Sequence, residues 1–373
     1  MGYPPLVPDP LDEAVRLHEL AVAAREDGRL EDARTLAAGS LEIFERESDP
    51  DSPDIANVLL CLAGVHHDLA RYIDAEPLYR RAVAIVSTWP DETSADIDLR
   101  RLRIQANGGL GTILRILGRY REAEAFLQTA LSIAERTFDA GDPEIADAMN
   151  DLAVVYKYTG EFDRASALYR TALASIEKAG GAESAQAATL LHNIGGLEHA
   201  RGDFAAGEPF ARRSVVIRAK LRGADHPEVA ADNAALAALL EGQEQFDEAE
   251  AIYRQALAIF ERHYGHCHYE VAITLNNIAT VREATGHLAE AETLHRDALS
   301  VKETLLGPNH PDVAMTLNNL ASVLRARGRG DEAEPLYRRA LAIFRNSLDP
   351  AHPKIALCER NYAELRRELE KRA

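Results

Sequence analysis

Six residues at near-constant spacing could do electrostatic work in this sequence: Arg25, His67, Arg115, Lys157, His199 and Arg325. The first five follow one another at intervals of 42, 48, 42 and 42 residues. Glu241 and Glu283 continue the series at 42 before Arg325 closes it. If each period packs beside the next at roughly 8–10 Å, the five form a positive row. Such a row attracts carboxylates, whether in an acidic peptide or at a chain's C-terminus. A competing account needs no ligand, because basic residues near a helix C-terminus complement its dipole. That account leaves Glu241 and Glu283 unexplained, so the charge changes along the row.

A second series is rich in amides. Asn150, His192, Asn276 and Asn318 share one register with His18, Leu60, Gly108 and Ala234. The next register holds Asn193, Asn277, Asn319 and Asn361, with Glu19, Cys61, Gly109, Asp151 and Ala235. Each Asn offers two donors and an acceptor, so a ladder of them can pair with the backbone of an extended peptide without reading its sequence. The first Asn of each pair reads as ligand-facing. For the second, that role stands beside a plain one, bonding neighbouring helices to stabilise the stack.

Other chemistry is weakly specified. His263, His266, Cys267 and His268 fall within six residues and could ligate a soft divalent metal. No second cluster completes a four-ligand shell, and His268 stands where His226, His310 and His352 precede a proline, so the segment reads as a polar turn. There is no phosphate-binding Gly-rich loop, nucleophile elbow, HExxH or dinucleotide fingerprint. His67 and His199 could in principle do acid–base work, but nothing specifies a nucleophile. The expectation is therefore no enzyme and no cofactor.

The elements that must position these residues follow from an internal repeat. The segment from Pro311, PDVAMTLNNLASVLRARGRGDEAEPLYRRALAIF, nearly restates the one from Tyr269, YEVAITLNNIATVREATGHLAEAETLHRDALSV. Units start at 11, 53, 101, 143, 185, 227, 269 and 311, and Pro353 opens a ninth that ends after one helix. Three columns carry only small residues. One runs Ala21, Ala63, Gly111, Ala153, Gly195, Ala237, Ala279, Ala321; the others include Ala165, Gly207 and Ala249, and Ser40, Ala172 and Ser214. A position that never carries bulk is one where two backbones approach closely, as stacked helix pairs require.

Each unit reads as two amphipathic helices, for example Val313, Leu317, Leu320 and Leu324, then Leu336, Tyr337, Leu341 and Phe344. Ser52, Asp142 and His310 are candidate caps before a first-turn proline. Gly28, Gly118, Gly160, Gly202, Gly286 and Gly328 supply the left-handed residue that ends the first helix, with Ala70 and Glu244 in that place under some strain. Helices of about 16 residues would each span about 24 Å.

The small-residue columns, with Tyr79, Tyr169, Tyr253 and Tyr337 three residues before the last small one, resemble the tetratricopeptide repeat. The 42-residue period, the LNNLA and LNNIA strings and the His-Pro junctions resemble its kinesin-light-chain-type subfamily, over nearly the whole chain. The resemblance implies an all-α, right-handed α-α superhelix of eight helix-turn-helix repeats, 11–352, plus a capping helix, 353–373. Residues 1–10 are a proline-rich lead-in. It further implies that first helices line a concave groove and that Asn150, Asn193, Asn276, Asn277, Asn318 and Asn319 contact a bound peptide.

At about 150 residues per domain, 373 would suggest two or three compact domains, an estimate the repeat overrides. A net charge of −18 argues against nucleic acid as a partner. No apolar run approaches the roughly 20 residues of a membrane helix, and the first residues lack the pattern of a secretory signal. Three scattered cysteines without a CxxC pair argue for a reducing, cytoplasmic setting. Residues from Val86 on hold six extra positions and Trp89, a partner contact or, on balance, a cover for the longer junction.

The expected function is a non-catalytic scaffold that holds a protein or peptide, with an acidic or C-terminal carboxylate segment, in the groove. The alternative is a regulator whose superhelical pitch changes when a short peptide binds. An enzyme built inside the groove would need His67, Lys157 or His199 strongly perturbed in a closed pocket.

Overall fold

The computed structural model describes residues 9–89, 96–348, 350 and 352–371. Within them the chain is all-α, a solenoid of helical hairpins with no strand among the described residues. The first hairpins are α1 (Pro10–Glu26) with α2 (Leu30–Glu47), α3 (Pro53–Asp68) with α4 (Tyr72–Thr88), and α5 (Ile97–Ile116) with α6 (Tyr120–Thr137). Next come α7 (Pro143–Thr159) with α8 (Phe162–Lys178), α9 (Ala185–Arg201) with α10 (Phe204–Arg222), and α11 (Pro227–Gly242) with α12 (Phe246–Tyr264). Then follow α13 (Tyr269–Ala284) with α14 (Leu288–Leu306), α15 (Pro311–Ala326) with α16 (Gly330–Ser347), and the single α17 (Pro353–Glu370). They form two compact units, residues 1–139 and 140–373.

First helices start where a side chain satisfies an orphan backbone N–H. Ser52 Oγ accepts from Asp54 N at 3.1 Å and Asp142 Oδ1 from Glu144 N at 2.9 Å. Histidine does the same in the second unit: Nδ1 of His226, His268, His310 and His352 each accepts the N–H two residues on, at 3.0–3.3 Å. The third unit departs from the period. Its first helix begins at Ile97, one turn ahead of Arg101, because Asp96 caps it by accepting from Asp98 N at 2.9 Å.

First helices end in tight reversals. Gly286 has φ 83°, its N–H bonds Glu283 O at 3.0 Å, and His287 N reaches back to Arg282 O at 2.8 Å. Ala70 and Glu244 adopt the same left-handed backbone at φ 56° and 62°, as their place in the repeat predicts.

All three small columns are buried through all eight repeats. A Cβ added at Gly111 would stand 2.5 Å from Leu127 Cγ and 3.2 Å from Ala123 O. At Gly207 it would meet Leu239 Cδ2 at 2.6 Å and Gly195 O at 3.1 Å. Bulk there would force the helices of a hairpin apart at a cost of about 1–3 kcal/mol. Tyr169, Tyr253 and Tyr337 fill the space beside these columns and are fully buried.

Curvature follows from which layer is the denser. First helices touch the first helices of the next repeat, α1 on α3 and α3 on α5 in one unit, α7 on α9 and so on to α17 in the other. Second helices pack chiefly on the first helices to either side. The closer-spaced layer lies inside the curve, so first helices line the concave face of each unit. In the second unit the curve comes round on itself: His352 Nε2 meets Tyr158 O at 2.8 Å, and the ring of Pro353 lies over Gly160.

Candidate functional site

The concave face of the first unit holds a pocket of about 510 Å³. His18, Val22 and Arg25 of α1, Leu60, Cys61 and Asp68 of α3, Tyr79 of α4 and Gln105 of α5 line it. Arg25 Nε donates to Asp68 Oδ2 at 2.6 Å, and His67 Nδ1 lies 3.2 Å from Asp68 Oδ1. Two members of the basic row therefore share one compensating carboxylate. Burial alone would raise the Asp68 pKa, yet the hydrogen bonds from His67 and Arg25 hold it below the usual range. Burial pushes the Tyr79 phenol up to about 12 and raises the Cys61 thiol, so neither is an acid–base group at neutral pH. Asn57 and His18 are hydrogen-bonded at 3.2 Å. Arg115, the row's third member in this unit, is half-buried on α5.

In the second unit the row continues on separate helices. Lys157 Nζ lies 5.5 Å from the centre of the Tyr158 ring. Desolvation, then the charge of Lys157, hold the His199 imidazole below its ordinary pKa, and its ring meets Phe204 edge-on at 5.4 Å. Arg325 pairs with Glu364 on α17. Glu241 and Glu283 occupy the same register without an ion pair among the described residues. Burial pushes each up to about 7, although Tyr253 donates a hydrogen bond to Glu241 at 3.1 Å.

The amide series is cross-linked from helix to helix. Asn193 Nδ2 donates to Asn150 Oδ1 at 2.7 Å, and Asn361 Nδ2 to Asn318 Oδ1 at 3.1 Å. Asn276 and Asn318 are buried, Asn276 accepting from His295 at 3.1 Å, whereas Asn277 and Asn319 are partly open. In these two pairs the first Asn is thus the more enclosed and the second the more open, whereas the sequence favours the first as ligand-facing. Asn276 is turned toward α14 and the buried His295, whereas Asn318 is held by Asn361 on α17 and donates to Asn319 at 3.2 Å.

His192 belongs to a network that column-by-column reading misses. Its Nδ1 lies 2.8 Å from Asp232 Oδ1, and Asp232 Oδ2 accepts from Arg218 Nε at 2.7 Å. Arg218 also donates to Glu228 and to Thr189, each at 3.1 Å. Burial opposes ionisation of Asp232, but His192 and Arg218 overcome it and lower its pKa. The detectable signal was a cation in a core column: Phe44, Val86, Ala134, Ile176, Phe260 and Phe344 occupy it elsewhere, and Arg218 and Lys302 interrupt it. Lys302 is buried too and donates to Thr316 at 3.0 Å.

Two features resolve into structure. Trp89 Nε1 donates to Asp51 O at 3.0 Å and its ring packs on the first unit's core; residues 90–95 lie outside the described residues. His268 caps α13 beneath the stacked ring of Tyr264, 4.0 Å away, and no group of three or more metal-capable side chains occurs among the described residues. No helix among them is long and apolar enough to cross a membrane.

The tetratricopeptide repeat profile matches residues 12–88, 102–178, 186–262, 270–329 and 312–373. A search of curated protein sequences finds no match. Among solved structures, the chain is similar to a Rap protein complexed with Competence and Sporulation Factor, at a TM-score of 0.61 and 14% identity over 97% of this chain and 100% of that one. It is similar to the apo form of RapI at 0.59 and 14%, over 79% and 98%. A putative kinesin light chain of Podosopora anserina with nearly identical repeats follows at 0.32 and 19%, over 69% and 98%.

Proposed function

Because the chain belongs to the tetratricopeptide repeat family, we propose that the concave face of each unit binds an extended peptide segment of a partner protein, by recognition without turnover. The observation that carries this reading is the pre-set amide row. Asn193 is held by Asn150 yet keeps its carbonyl oxygen and one N–H for a ligand; in the same register Asn319 accepts from Asn318 at 3.2 Å and Asn277 bonds Tyr253, which leaves each of these amides further N–H groups. Those are the donors and acceptors a peptide backbone pairs with. The Rap protein of similar fold, solved with Competence and Sporulation Factor, supports the choice of a bound factor over a reaction.

Preference for an acidic segment or a C-terminal carboxylate rests on the sequence register, which puts Arg115 on a first helix of the first unit and Lys157 on one of the second; Asp68 pairs with Arg25 and His67, and Glu364 with Arg325. The test is a positional-scanning library of labelled dodecapeptides against the full chain and against its Arg115→Glu and Lys157→Glu variants. The reading expects binders enriched in Asp and Glu that both variants lose. Binders with no acidic enrichment, or unchanged affinity in the variants, refute the acidic preference.

A second reading, a regulator that changes pitch, is favoured by one contact. The His352–Tyr158 bond closes α17 onto α7 within the second unit, so a ligand that needs a wider curve would have to break it. Small-angle scattering with and without a selected peptide separates the two, because only the regulator changes dimensions.

A further inference from the structure

The Arg25 guanidinium occupies the space where residue 64 would carry a side chain. A Cβ built on Gly64 would stand 2.4 Å from Nη1, 2.7 Å from Cζ and 2.8 Å from Nη2. Gly64 lies inside α3 with helical backbone, flanked by buried Ala63 and Val65. Nothing about the turn geometry calls for glycine there, and glycine in a helix interior is the weaker choice. What the missing side chain permits is a planar cation lying flat on the helix of the next repeat.

Seated in this way, Arg25 spends Nε on Asp68, while Nη1 and Nη2 make no hydrogen bond among the described residues. Both belong to a side chain lining the first unit's pocket, with Asn57 and Gln105 as further amide donors and Val22 and Leu60 as apolar wall. Asp68 balances the Arg25 charge and Glu26 adds another carboxylate at the rim, so the pocket is not net positive. Its donors therefore suit an uncharged acceptor oxygen better than a second carboxylate.

We infer that Gly64 is a positioning residue: it seats Arg25 so that two N–H donors meet a carbonyl oxygen, of the backbone or of an Asn or Gln side chain, on a peptide bound in the first unit. This rests on the peptide-binding reading above and adds which oxygen the pocket takes and which residue makes it possible. The arrangement has a looser parallel in the second unit, where a Cβ on Gly196 would lie 3.4 Å from Lys157 Nζ, an ordinary contact that needs no displacement. Gly39, inside α2, would meet only Leu17 Cδ1 at 3.7 Å.

These glycines make the test. Gly64→Ala, Gly196→Ala and Gly39→Ala all improve helix propensity, and each should keep or raise the thermal midpoint of the full chain. Against the dodecapeptide library, Gly64→Ala and Arg25→Lys should each weaken selected binders at least fivefold and abolish any preference for Asn or Gln at one position. Gly196→Ala and Gly39→Ala should stay within twofold of the parent. A ligand-free readout accompanies it: the Arg25 Nε–H resonance, assigned through Arg25→Lys, should move in Gly64→Ala as the Asp68 bond is lost. Binders that Gly64→Ala retains at parental affinity, or an unmoved Nε–H signal, overturn the positioning role and leave peptide binding standing. A parent that selects no peptide overturns both.

Discussion

His352 and Tyr158, 194 positions apart in sequence, are joined by a hydrogen bond of 2.8 Å from the imidazole Nε2 to the main-chain oxygen. The same ring accepts from Lys354 N through Nδ1 at 3.1 Å, which assigns the proton to Nε2. One neutral histidine thus caps α17 and holds it on α7. His352→Phe removes both bonds and leaves Tyr158 O without that partner. The expected cost is about 2 kcal/mol, felt locally. Hydrogen exchange should accelerate in α17 and leave α1–α6 at parental rates. Uniform acceleration, or none, would contradict the assignment.

Arg218 and Asp232 form a buried ion pair, with His192 as a further partner of Asp232 and Glu228 as a further partner of Arg218. Asp232→Ala leaves the buried guanidinium with Glu228 and Thr189 but without its Nε partner and should cost about 3 kcal/mol. Arg218→Met combined with Asp232→Leu removes both charges and should cost far less than the single change. Urea unfolding midpoints of the parent, the single and the double variant decide it. A double variant as unstable as Asp232→Ala would mean that packing, not charge, sets the loss.

Glu241 and Glu283 tie stability to pH from the unusual side. Their folded pKa values of about 7 lie above the carboxylate's value in an unfolded chain, so the unfolded state ionises first. The folded state carries no penalty below about pH 4, and stability falls as pH rises toward 7, where the penalty becomes complete. Glu241→Gln and Glu283→Gln mimic the protonated form. Each should stabilise the chain at pH 8 by about 1–2 kcal/mol and leave it unchanged at pH 4. Asp312 works in the other direction: half-buried, yet held at about 2 by His310 and nearby lysines, it contributes stability above pH 4 that is lost as pH falls through 2. Thermal midpoints across pH 2 to 8 separate the two contributions, the Asp312 loss below pH 4 and the Glu241 and Glu283 loss above it.

What the sequence disclosed was what repeats. Ala153, Ala165 and Ala172 are buried because a column that is small in every unit reports a backbone approach common to every unit. The reversals at Gly28 through Gly328 were legible for the same reason, down to the two non-glycine exceptions. What stayed hidden were contacts between different columns of neighbouring units. Arg25 with Gly64, His192 with Asp232 and Asp232 with Arg218 cross both a repeat boundary and a register, so no single column announces them. The early start of α5 at Ile97 escaped because an inserted segment breaks the period there, and a local cap at Asp96 decides the boundary instead.

Glu244 and Gly286 occupy the same place in adjacent repeats, and only one of them is glycine. Glu244 holds φ at 62°, where a side chain's Cβ crowds the following carbonyl at about 1–2 kcal/mol per residue. It is exposed, so its replacement disturbs no packing. Glu244→Gly should therefore stabilise the sixth hairpin by about 1 kcal/mol. Gly286, at φ 83° with nothing within 4 Å of an added Cβ, faces the same conformational term without steric contact. Gly286→Ala should lose what Glu244→Gly gains, and the double variant should return close to the parent. Denaturation midpoints check the sign of each. If Glu244→Gly destabilises, the left-handed backbone at that reversal is not where the strain lies.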